Sequence, residues 1–167
     1  TNIGYMFQDS GYNKPLNWDT SSVVTMGYMF ERSPFDQSLN HWDFSSVTKL
    51  ERMLASTDYN QPIDWNTGSC TSFMNMFYKS SFNQPINLDF SSAKTLHSMF
   101  KEASNFNQPI DWDTSSVTNF ERMLSETAFD SELKLKVDSA TRMHSMFYKS
   151  NYNGKEVQDW DTSSVNS

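Results

Sequence analysis

The sequence has little that could stabilise a fold except packing. It contains one cysteine, Cys70, so no disulfide can form within the chain. No apolar run reaches the roughly 18 residues that span a bilayer, and the first residues lack the basic and apolar regions of a signal peptide. We therefore expect no direct membrane insertion, and we expect any secretion signal or anchor to lie outside this segment.

Positive charge is also scarce. Thirteen basic side chains stand against twenty acidic ones, which gives a net charge of −7, and the basic residues form no cluster. Proteins that bind nucleic acid need such clusters to neutralise phosphates, so we expect no nucleic acid partner. Aromatic residues make up 15% of the chain and there are ten methionines, a composition that disfavours disorder.

What the sequence does have is a repeat, with seven copies spaced 23 to 25 residues apart. The column that follows a serine contains Val23, Val47, Cys70, Ala93, Val117, Ala140 and Val165. In the same alignment, one column is entirely methionine and another holds all five tryptophans, with Leu88 and Leu135 in the remaining two copies. These columns predict a core built as a ladder of Met, Phe and Trp.

The predicted core ladder contains Met29, Met53, Met76, Met99, Met123, Met146, Trp18, Trp42, Trp65, Trp112 and Trp160. A single unit of this size cannot bury such large side chains, whereas stacked units can.

The two halves of the unit have different apolar periods. Apolar residues three or four positions apart, as at Val117, Phe120 and Leu124, predict a short amphipathic helix that begins at the Asp-Thr-Ser residues before it. The alternation from Ile110 to Trp112 predicts a short strand or extended segment. The sequence therefore predicts an α/β repeat solenoid, with residues 1–167 forming a single array.

The first and last copies of the motif are as apolar as the others. Solenoids need polar capping units at their ends to prevent association. We therefore expect this array either to belong to a longer one or to stack end to end.

The motifs also resemble a known repeat. Trp112–Thr118 reads W-D-T-S-S-V-T and is followed by Met123, and Phe106–Ile110 reads F-N-Q-P-I. This combination resembles the 25/26-residue bacterial surface repeat of mycoplasma and Listeria lipoproteins, of the BspA-like leucine-rich-repeat type. The resemblance implies a cell-surface or secreted array with adhesive or structural roles, and it carries no catalytic motif.

Two columns contain side chains that bind metals in other proteins. His97, Glu121 and His144 share one column and are a candidate metal site, although ligands from three successive units would meet only with difficulty. An acidic column follows the tryptophans and consists of Asp19, Asp43, Asp89, Asp113 and Asp161. Its place before the serines favours helix capping and turn hydrogen bonds over a calcium ladder or catalytic carboxylates. We therefore expect no metal and no cofactor.

Four tyrosines are the candidate binding residues. Tyr5 and Tyr28 share one column, and Tyr78 and Tyr148 share another directly after the Met-Phe pair. Exposed tyrosines are suited to contacts with protein or glycan, because each offers an apolar ring and a polar tip.

No asymmetric group of acid, base and nucleophile interrupts the repetition, so we expect no enzymatic activity. The sequence is most consistent with a cell-surface or secreted interaction module that binds a protein or glycan in adhesion. The alternative is a structural element that forms fibres when copies of the chain stack head to tail.

Overall fold

The computed structural model describes residues 1–154 and 156–167. Within that part of the chain the regular elements are two three-residue strands, β1 (Ile110–Trp112) and β2 (Leu133–Leu135), and one 3-10 helix at Glu156–Asp159. Strand β1 pairs with β2 in parallel, with Ile110 opposite Leu133 and Trp112 opposite Leu135. The described residues contain no α-helix, so the predicted α/β solenoid with an amphipathic helix in every unit is wrong.

Where the helices were predicted, each unit forms a run of overlapping turns, which we call the turn segments. They comprise residues 3–9, 26–32, 50–56, 73–79, 96–102, 120–126 and 143–149. Backbone donors alternate along them. Met29 N–H donates to Met26 O within the turn (3.3 Å), whereas Phe30 N–H donates to Met53 O in the next unit (3.0 Å). An α-helix would direct both donors into its own segment, so this alternation replaces the helix with bonds between units.

The turn segments have an unusual backbone. In each segment two residues, four positions apart, have φ between 53° and 64°, which is the left-handed region. They are Tyr5, Asp9, Tyr28, Arg32, Arg52, Ser56, Asn75, Lys79, Ser98, Glu102, Arg122, Glu126, Ser145 and Lys149. This conformation costs a residue with a Cβ about 1–2 kcal/mol. From Tyr5 to Glu126, the N–H groups of these residues donate to the next unit and offset that cost, as when Ser56 N–H donates to Tyr78 O at 2.7 Å.

Successive units lie side by side in sequence order. A chain of parallel bridges connects Asn2, Thr25, Lys49, Ser72, Thr95, Asn119 and Arg142. From Thr25 to Arg142, each of these residues stands two positions after a member of the aligned valine column, so the structure pairs residues that occupy equivalent places in the repeat.

The extended half of the unit contains few paired strands. Besides β1 and β2, the only bridge found there in the described residues connects Ile63 with Ile86. A ladder of side chains supplements it. Each unit has an Asn or Asp directly after the aromatic residue at the same place in the repeat, and the N–H of that Asn or Asp donates to the Oδ1 of its equivalent in the preceding unit, at 2.8–3.1 Å. This Asn/Asp ladder contains Asn13, Asp36, Asn60, Asn83, Asn107, Asp130 and Asn153.

The core lies between the turn segments and the extended segments. The six methionines of the predicted core ladder are buried, as are Trp42, Trp65 and Trp112, whereas Trp18 and Trp160 are partly buried. Phenylalanine rings stack both within and between units, with ring centroids 3.8 Å apart for Phe100 and Phe106 and 5.4 Å apart for Phe77 and Phe100.

Candidate functional site

The candidate tyrosines lie on the outer side of the turn segments. Tyr5 and Tyr148 are the most exposed of the four, at 57% and 52%. The rings of Tyr5 and Tyr28 stack with their centroids 4.7 Å apart and their planes within 10°. The two rings therefore form one continuous apolar surface that faces solvent.

Arginine extends this surface to the third tyrosine. The Arg52 guanidinium carbon lies 5.8 Å from the ring centroid of Tyr28 and 5.2 Å from that of Tyr78. Lys79 and Lys101 place their ammonium groups 5.3 Å and 5.4 Å from the Tyr78 ring. These are cation–π distances. We call the group formed by Tyr5, Tyr28, Arg52 and Tyr78 the tyrosine surface.

A buried carboxylate holds Arg52 in this position. Glu31 is 1% exposed and accepts hydrogen bonds from Arg52 Nε at 2.8 Å, Arg32 Nη1 at 2.9 Å and Gln8 Nε2 at 2.7 Å. Arg32 also donates from Nη2 to Asp9 at 2.6 Å, and this hydrogen bond lowers the pKa of the Asp9 carboxyl. A buried carboxylate needs charged or polar hydrogen-bond partners. Because Arg52 is one of the partners of Glu31, its guanidinium is held against the rings of Tyr28 and Tyr78.

Tyr148 lies apart from the tyrosine surface. The Lys149 ammonium is 5.1 Å from its ring centroid. Tyr148 lines a polar cleft of about 370 Å³ together with Lys101, Arg122 and Glu126. A second cleft, of about 340 Å³, is lined by Tyr5, Tyr28, Val24, Lys49 and Glu51 among others. The first cleft therefore contains one candidate tyrosine and the second contains two, each with charged side chains nearby.

The metal candidates do not come together as a ligand set. His97 Nδ1 lies 3.7 Å from Glu121 Oε2, which is too far for a hydrogen bond. Burial lowers the pKa of His97, more than the nearby Glu121 carboxylate raises it, and Arg122 and Arg142 lower it further. Among the described residues, no three His, Cys, Asp or Glu side chains are grouped closely enough to hold a metal ion.

The acidic column forms turns. Asp43 Oδ1 accepts a hydrogen bond from Ser45 N–H at 2.8 Å, and Asp89 Oδ1 accepts one from Ser91 N–H at 2.9 Å. Hydrogen bonds from these serines lower the pKa of both carboxyls. Asp19, Asp113 and Asp161 form the same turns. These side chains stabilise the turns before the aligned valine column, and they begin no helix.

Cys70 occupies the valine column and is fully buried. Burial raises the pKa of its thiol to about 12. Because the thiolate is the reactive form, this thiol is inert at neutral pH.

An alternation that spans two units was not predicted. The residue two positions after each tryptophan-column residue alternates between threonine and a larger apolar side chain, in the order Thr20, Phe44, Thr67, Phe90, Thr114, Val137 and Thr162. Each phenylalanine stacks on the tryptophan of the following unit, with centroids 4.2 Å apart for Phe44 and Trp65. The alternation is visible in the sequence, where some units read W-D-T and others read W-D-F or L-D-F.

The chain matches a known protein family. A family described as "Mycoplasma protein of unknown function, DUF285" matches residues 1–88 and 56–155. The chain belongs to this family. Searches of curated proteins and of solved structures gave no significant match. Among the described residues, no helix has the length and apolar character needed to cross a membrane.

Proposed function

We propose that this chain is a non-enzymatic binding module of a cell-surface or secreted protein, and that it binds a protein or glycan through the tyrosine surface. The observation that carries the proposal is the contact of Arg52 with the rings of both Tyr28 and Tyr78, next to the stacked Tyr5. Tyrosine and arginine are enriched at protein interfaces, because they offer large contact areas and directed hydrogen bonds.

The kind of repeat supports the same proposal. The W-D-x-S-S-V and F-N-Q-P-I motifs resemble those of BspA-like leucine-rich-repeat surface proteins, for which an adhesive role is expected. Membership of a mycoplasma family is compatible with that resemblance. We propose the finer assignment to the BspA-like type on the motifs alone.

The repeat itself supplies the substitutions for a test. Asn75 occupies the place of Tyr5 in another unit, and Ala55 occupies the place of Tyr78. Asparagine tolerates the left-handed backbone of that position. We expect the double variant Tyr5→Asn, Tyr78→Ala to fold and to lose at least tenfold in affinity for its targets on an array of glycans and extracellular proteins.

The control is Lys14→Ala, which removes an exposed charge away from the tyrosine surface. Its binding should equal that of the unchanged chain. If the unchanged chain binds nothing on such an array, or if both variants bind alike, the tyrosine surface is not the binding site.

Hydrogen-bond direction favours a second candidate function, the assembly of fibres. In the turn segments, N–H groups donate to the unit that follows, as from Phe77 to Met99 at 2.9 Å and from Phe100 to Met123 at 3.0 Å. A leading and a trailing turn segment are therefore complementary, and such a heterologous contact need not close. Analytical ultracentrifugation over a range of concentrations tests this candidate: growing rods support it, and a monomer at all concentrations refutes it.

A further inference from the structure

A cleft of about 370 Å³ opens on the extended side of the array, away from the tyrosine surface. Its walls include Trp112, Leu133, Leu135 and Trp160, and Lys134 and Lys136 lie at its rim. Asp111 and Glu156 also line it. Trp112, Leu135 and Trp160 are successive members of the tryptophan column, so the cleft lies where the middle unit has leucine in place of an indole.

At Leu88, the other leucine of the tryptophan column, a neighbouring ring fills the space that the missing indole leaves. Leu88 is 8% exposed, and Phe90 in the same unit stacks on Trp112 with ring centroids 4.4 Å apart. Leu135 is accompanied by Val137, which has no ring to place against Trp160. The phenylalanine fills the missing volume in one unit, whereas both side chains are small in the other.

The dimensions fit a small ligand. The cleft has a volume of about 370 Å³, and small-ligand pockets have volumes of about 300–1,000 Å³. Because Leu135 stands between Trp112 and Trp160 in the tryptophan column, a ligand ring in the cleft would lie over Leu135 with the two indoles as its neighbours.

The rim determines the polarity of the ligand. Lys134 Nζ lies 2.9 Å from Glu132 and 3.5 Å from Asp111, and Lys136 Nζ lies 3.1 Å from Asp113. Each ammonium is thus already paired with a carboxylate, so the rim offers both donors and acceptors and has no excess positive charge. Hydroxyl groups, which both donate and accept, match such a rim better than an anion does.

We propose that this cleft binds a neutral hexopyranose ring of a glycan, with the ring over Leu135 against Trp112 and Trp160 and its hydroxyls hydrogen-bonded to Lys134, Lys136 and Asp111. Apolar walls with a few polar groups at the rim are typical of small-ligand sites. This site goes beyond the function proposed above, because it uses none of the four tyrosines.

The test is saturation-transfer NMR and intrinsic tryptophan fluorescence with methyl glycosides of neutral hexoses and N-acetylhexosamine. Leu135→Trp inserts the side chain that most other units have at this position and fills the cleft, so we expect at least tenfold weaker binding. Lys134→Ala removes an exposed donor without touching the core, and we expect threefold to tenfold weaker binding. Lys14→Ala, which removes an exposed lysine outside both proposed sites, is the matched control and should bind the glycosides like the unchanged chain.

Lys134→Ala keeps the test decisive if Leu135→Trp fails to give a folded protein by circular dichroism. The proposal is overturned if no glycoside binds, or if binding is the same in the folded variants. It is also overturned if an aromatic, acidic peptide such as Ac-Trp-Asp-NH2 binds the cleft and the glycosides do not, a result that would indicate a protein partner. Loss of glycoside binding in Tyr5→Asn would place the sugar on the tyrosine surface instead.

Discussion

The two halves of each unit are connected to their neighbours in different ways. The turn segments form a continuous series of backbone hydrogen bonds, such as those of Arg52 N–H with Met74 O and of Leu54 N–H with Met76 O, at 3.0 and 3.1 Å. The extended segments use mainly side chains, through the Asn/Asp ladder, and in the described part of the chain they form strands only at β1 and β2. The backbone bonds thus determine the register of the stack, while the extended side tolerates exchanges such as leucine for tryptophan.

The largest expected effect distinguishes the cores of the two halves. Phe100 is fully buried in a turn segment, so Phe100→Ala should lower the free energy of unfolding by about 3–5 kcal/mol. Leu135 on the extended side already lines an open cleft, so Leu135→Ala should cost about 1 kcal/mol. Urea unfolding followed by circular dichroism measures both. Equal losses would contradict the division into a rigid and a tolerant half.

A smaller effect tests the Asn/Asp ladder. Asn83 Oδ1 accepts hydrogen bonds from Asn107 N–H at 2.9 Å and from Gln108 Nε2 at 3.1 Å. Asn83→Ala removes this acceptor and should cost about 1 kcal/mol of unfolding free energy. Asn83→Asp keeps an oxygen in place, as Asp36 and Asp130 do in other units, and should be nearly neutral. Thermal unfolding of the two variants side by side measures the difference, and an equal loss in both would show that the ladder is not stabilising.

The smallest effect concerns the backbone of the turn segments. Ser56 has a φ of 54°, in the left-handed region. Ser56→Gly relieves that strain of about 1–2 kcal/mol but adds freedom to the unfolded chain, so a net gain of about 0.5 kcal/mol is expected. Ser56→Val, with a β-branched side chain, should instead lose about 1 kcal/mol. A loss of stability in the glycine variant, measured by the same thermal unfolding, would show that the left-handed backbone carries no strain.

The repeat columns could be read from the sequence, but the helix could not be excluded. Val47, Leu50, Met53 and Leu54 all face the core, and that spacing is equally compatible with an amphipathic helix. The decisive feature is the left-handed backbone at positions such as Arg52, where the sequence has no glycine to indicate it. The periodicity therefore predicted which side chains are buried without determining the backbone that buries them.

The candidate sites, too, could be predicted from the sequence only in part. The alignment put Tyr5 and Tyr28 in one column, and the structure stacks their rings. Arg52 connects them with Tyr78, which stands in a different column, and only the folded turn segments bring the three together. The cleft beside Leu135 exists because a second residue of the same unit, Val137, does not fill the volume that the missing indole leaves. In the unit of Leu88, Phe90 fills it. A single column contains no information about such compensation.

The alternation of threonine and phenylalanine makes the true building block a pair of units. Thr20 Oγ1 donates to Asp43 O at 3.0 Å and accepts from Asp43 N–H at 2.8 Å, while Phe44 in that second unit covers Trp65 of the third. Removing one unit would place two threonines or two larger apolar side chains side by side, whereas removing two would keep the alternation. Arrays of this kind can therefore shorten or lengthen during evolution most easily in steps of about 47 residues.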